Sequence, residues 1–67
     1  MPVGIVQFYL KSKDYGFIRI PETREEIYFS GKTLNKNLVM KKGLKVCFEI
    51  IEDKHGLEAV NIRLSRE

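Results

Sequence analysis

The residues of this 67-residue chain best suited to chemistry are its aromatics and the cations among them. Phe8, Tyr9, Tyr15, Phe17, Tyr28 and Phe29 all precede Ser30, Phe48 stands apart, and Lys11, Lys13 and Arg19 are interspersed. Flat rings beside Lys and Arg suit single-stranded nucleic acid, because every base offers a π-face and every linkage a phosphate. Stacking contributes about 1 to 3 kcal/mol per base and tolerates any sequence. On this reading Phe8, Tyr15, Phe17 and Tyr28 are the platforms, and Lys11, Lys13, Arg19 and His55 contact phosphate or sugar. A duplex presents no free base faces to such a surface and should bind weakly.

Other chemistries have little to stand on. Cys47 is the only cysteine and His55 the only histidine, so an intramolecular disulfide and a structural zinc set are both excluded. Cys47 has no evident base, and His55 has no evident carboxylate partner. The carboxylates fall in turns or on strand faces without a pairing pattern. No catalytic residues, metal, cofactor or small-molecule substrate are expected, and the chain does not read as an enzyme.

The elements that must position the rings read as strands. Val3 to Leu10 is a short run rich in β-branched and aromatic residues, broken by Lys11-Ser12-Lys13-Asp14. Tyr15 to Ile20 alternates, with Tyr15, Phe17 and Arg19 on one face and Gly16, Ile18 and Ile20 on the other. Pro21 ends that strand because proline lacks the ladder donor. A third strand spans Glu26 to Phe29. The pattern fails from Ser30 to Gly43, a long connection with room for one helical turn. Lys45 to Glu52 and Leu57 to Leu64 are the last two strands, joined by a turn in which Gly56 supplies positive φ.

Five short strands leave two exposed edges on a flat sheet, and closure into a barrel removes them. Periodicity alone does not separate an oligonucleotide-binding (OB) barrel from an SH3-like one. The inward positions of that barrel are Val6, Ile18, Ile20, Ile27, Val46, Phe48, Ile50, Val60 and Ile62, already a core's worth, so the aromatics are in excess. If Ile18 and Ile20 face inward, Tyr15 and Phe17 face water. The opposite orientation would make both rings core; Gly16 and Arg19 argue against it. Of Phe8 and Tyr9, adjacent on one strand, at least one belongs inside.

Length and charge agree with this. Residues 1–67 make a single small domain, too short for an interdomain cleft, and a chain this size buries only about 60% of its unfolded surface. Twelve Lys and Arg against nine Asp and Glu give +3, compatible with a polyanionic partner but weak evidence alone. No run nears the roughly 18 apolar residues that cross a bilayer, and no leader is apparent, so a cytoplasmic monomer without a membrane partner is expected.

Lys13-Asp14-Tyr15-Gly16-Phe17-Ile18 resembles the first ribonucleoprotein motif of the cold-shock domain family, Lys-Gly-aromatic-Gly-Phe-Ile. Gly4 to Tyr9 is similar to that family's opening strand and Ile27-Tyr28-Phe29-Ser30 to its second motif. Gly43, Val46 and Phe48 are similar to its fourth strand, and Gly56 with Ala59-Val60-Asn61-Ile62 to its fifth. The resemblance implies an all-β, five-stranded antiparallel OB-fold barrel with a long loop between strands 3 and 4. It also implies binding of single-stranded RNA or DNA with low sequence specificity, often as an RNA chaperone. By position, Phe8 takes the place of an exposed tryptophan, Tyr15 and Phe17 match two stacking rings, Tyr28 replaces a stacking histidine, and Lys13 matches a basic residue.

The chain departs from the pattern at Gln7 for lysine, Asp14 for glycine, Glu26 for an exposed phenylalanine, and Asn37 for an aromatic. Each change removes a ring or a positive charge, or adds a negative one, so binding weaker than a typical member's is expected. Glu25 stands where an inward aliphatic is common. The alternative is a barrel of the same shape whose aromatic face, having acquired Asp14 and Glu26, docks a protein.

Overall fold

The structure, a computed structural model, describes residues 2–33, 40–54 and 56–65. Its strands are β1 (Val3–Leu10), β2 (Tyr15–Ile20), β3 (Glu25–Ser30), β4 (Lys45–Asp53) and β5 (Gly56–Leu64), with a 3-10 turn at Gly31–Thr33. They close in the order β1-β2-β3-β5-β4, the barrel expected from the strand count. Four of the ladders are antiparallel as anticipated, but β3 pairs with β5 in parallel. The reason is parity: five strands in a ring cannot all alternate in direction. Among the described residues no helix is long and apolar enough to cross a membrane.

The core consists of Val6, Ile18, Ile27, Phe29, Val46, Phe48, Ala59 and Ile62. Six of the inward positions read from the alternation are thus met, and three are corrected. Ile20 is only partly buried and packs against the core from its margin. Ile50 keeps the parity of Val46 and Phe48 but is 37% exposed, because β4 runs past its pairing with β1, which ends at Cys47. Val60 yields its place to Ala59. Asn61 adopts φ 52°, and the β4–β5 register shifts between Cys47 and Glu49. That bulge puts two residues, not one, between the buried Ala59 and Ile62, so the alternation changes phase.

The turns follow from left-handed backbone. Asp14 (φ 59°) closes the β1–β2 hairpin, where aspartate tolerates a conformation that glycine meets at no cost. Gly56 (φ 114°) opens β5 as the turn reading required.

Candidate nucleic-acid interface

The aromatic face depends on one extra residue in β1. Val6 pairs with Ile18, whereas Phe8 pairs with Phe17, so the register slips by one at Gln7. Without that bulge Phe8 would share the inward parity of Val6. With it Phe8 turns outward and Tyr9 turns inward, where the Tyr9 ring stacks on buried Phe29 with centroids 5.8 Å apart. Gln7 itself donates from Nε2 to the Ile5 carbonyl at 3.2 Å. The sequence assigns at least one of this ring pair to the interior, and the bulge decides which.

Across β2 and β3 the pairing Phe17–Tyr28 continues the row begun by Phe8. Tyr15 lies one step along β2, beside Phe8 at 5.9 Å and Tyr28 at 5.9 Å, the latter nearly parallel at 23°. Phe8 and Phe17 meet edge to face at 5.4 Å, and Phe17 meets Tyr28 at 6.2 Å. These contacts fall in the range of favourable aromatic pairs, about 0.5 to 1.5 kcal/mol each beyond area burial. The outward orientation of Tyr15 and Phe17 holds: both are partly exposed, while Gly16 and Ile18 between and after them are buried. The rings are not simply open to water, however, because they shield one another.

Gly16 is what allows the two layers to lie so close. A Cβ there would strike the Phe8 carbonyl oxygen and come within 2.7 Å of the Phe29 ring. The small residue therefore lets the outer rings ride directly above the core.

Lys11 and Lys13 sit exposed in the turn beside Tyr15, and Arg19 is exposed at the other end of β2. Arg19 pairs across the ladder with Glu26, so an opposite charge faces it. Glu26 is exposed on the outer face. Asp14 adds a negative charge to the β1–β2 turn and is held in place there. Its Oδ1 accepts a 2.7 Å hydrogen bond from Tyr9 Oη, which ties the carboxylate to the first hairpin. That bond, with burial and the nearby negative charge, raises the Tyr9 hydroxyl above its ordinary value of 10.0. Glu25 pairs with Ile20 at the start of β3 and is exposed, so the strand keeps its register and no acid is forced inside. His55 and Asn37 lie outside the described residues.

Two neighbours of the face escape a reading by periodicity. Leu10, 39% exposed, pairs with Tyr15 and extends the apolar surface toward the turn; the hairpin register could have shown it. Glu58 pairs with Tyr28 through the parallel ladder, and no local pattern announces that partnership.

The model of the "Cold-shock" DNA-binding domain matches residues 3–65, the stretch that forms this closed barrel and its outward aromatic row. The chain belongs to the cold-shock domain family. A "Cold shock-like protein" of Aquifex aeolicus (strain VF5) is 33% identical over 66 residues, covering 96% of this chain and 94% of that protein. The family is one of nucleic-acid-binding domains. In this cold-shock domain the aromatic wall has tyrosine at position 28, and Asp14 lies in the β1–β2 turn.

Proposed function

We propose that this cold-shock domain binds single-stranded RNA or DNA with low sequence specificity, stacking bases on Phe8, Tyr15, Phe17 and Tyr28. The observation that carries the reading is the contiguity of those four partly exposed rings on one wall of the barrel. Ring faces held by their neighbours need no ordering when a base arrives, so little conformational entropy opposes stacking. Lys11, Lys13 and Arg19 border the rings and supply phosphate contacts, which makes affinity fall as salt rises. Capture of unpaired strands also pulls weak RNA hairpins toward their open state, the thermodynamic basis of an RNA-chaperone role.

The test is a titration of the protein with a labelled oligopyrimidine hexamer and its duplex at two salt concentrations. Phe17→Ala is expected to weaken single-strand binding by about 1 to 3 kcal/mol with the fold intact by circular dichroism. Unchanged affinity in the folded variant, or equal affinity for duplex, would overturn the reading.

A further inference from the structure

The row of outward residues does not stop at the aromatics. Through successive ladders Phe8 faces Phe17, Phe17 faces Tyr28, Tyr28 faces Glu58, and Glu58 faces Ile51. The partners one step along, Phe29 and Ala59, are both fully buried, which fixes residues 28 and 58 on the outer side. A platform for a base therefore ends against a carboxylate.

That carboxylate is available. Glu58 is partly buried, and among the described residues its side chain has no hydrogen-bonding or ion-pairing partner. Glu26, the other acid on this face, differs because it lies across from Arg19. Adjacent strands are about 4.8 Å apart, so the edge of a base stacked on Tyr28 falls within reach of Glu58. An ionised carboxylate only accepts, and it accepts best from two parallel N–H groups.

Among the bases guanine alone offers that pair, N1–H and N2–H, on its Watson–Crick edge. Cytosine and adenine offer one exocyclic amino group. Thymine and uracil offer a single N3–H between two carbonyl oxygens that a carboxylate repels. We infer that Glu58 makes the Tyr28 position selective for guanine, a single-base preference set into an otherwise sequence-tolerant surface. The inference rests on the single-strand reading above and specifies the ligand of one of its platforms.

The experiment compares an all-thymidine hexamer with hexamers carrying one deoxyguanosine at each position in turn, and with deoxyinosine, which lacks the 2-amino group, at the best position. Wild-type protein should bind the best guanine hexamer roughly five- to tenfold more tightly than all-thymidine, the modest end of bidentate base discrimination because Glu58 is only partly buried. Deoxyinosine should lose most of that gain. Glu58→Gln should abolish it while leaving the all-thymidine hexamer bound at least as tightly. Equal binding of guanine and thymine hexamers by wild type, or a guanine gain that survives in Glu58→Gln, would overturn the role of Glu58 and leave the single-strand reading standing. Failure of wild type to bind any of the hexamers would overturn that reading itself.

Discussion

The aromatic wall of β1, β2 and β3 and the far end of the β4–β5 hairpin expose apolar side chains to a similar degree, yet they are different kinds of surface. Tyr28 is 38% exposed on the first; Ile50 is 37% and Ile51 46% exposed on the second. On the wall each ring is in contact with others and Lys11, Lys13 and Arg19 lie beside them, with Glu26 opposite Arg19 and Glu58 at the far edge. On the hairpin the aliphatics Ile50, Ile51 and Leu57 alternate with Glu49, Glu52 and Glu58. Exposed apolar area is therefore not what distinguishes the proposed interface. Rigid flat groups supported by one another, within reach of positive charge, are what a base and its phosphate need; aliphatics among carboxylates supply neither.

The largest test of this contrast lies within β3, where Tyr28 and Phe29 point to opposite sides. Phe29→Ala removes a fully buried ring that supports Tyr9 from within and should cost about 3 to 5 kcal/mol of stability, read from a urea melt. For a 67-residue domain that loss is enough to leave much of the protein unfolded. A middling effect is expected from a pair of surface changes with comparable exposure. Tyr28→Ala should weaken binding of an oligopyrimidine by about 1 to 3 kcal/mol, and Ile51→Ala should leave it unchanged; equal losses from both would erase the distinction between the regions.

The smallest expected effect concerns Tyr9→Phe, which removes the hydroxyl that donates to Asp14. Because folding raises the Tyr9 hydroxyl above 10.0, the contribution of its neutral form is complete below that pH and disappears as pH climbs through the raised value. Urea midpoints of wild type and Tyr9→Phe should differ at pH 8 and converge at strongly alkaline pH. A difference that grows with alkalinity would show that Asp14 does not hold the phenol in its neutral form.

Much of this was legible in the chain. Alternation at Tyr15 to Ile20 is unbroken, so it orients both rings and Ile18 correctly, and proline and glycine mark the strand ends where the backbone needs them. What alternation cannot convey is a change of phase. The bulge at Gln7 reverses Phe8 and Tyr9, and the left-handed Asn61 exchanges Val60 for Ala59 in the core; neither residue type betrays a bulge by itself. Contacts made by closing the ring are equally hidden, since Tyr28 meets Glu58 across twenty-nine intervening positions of the sequence. Exposure of Ile50 has a third origin, the overhang of β4 beyond its partner, which depends on relative strand lengths rather than on residue character.

The parallel join of β3 to β5 is two residue pairs long, Tyr28 with Glu58 and Phe29 with Ala59. Local opening is cheapest where the fewest backbone bonds must be surrendered, so the circuit gives way here before either long hairpin unravels. One partner at this joint belongs to the proposed platform outside and the next is the floor beneath it. Loosening it would disturb the outer ring row and the interior in the same event.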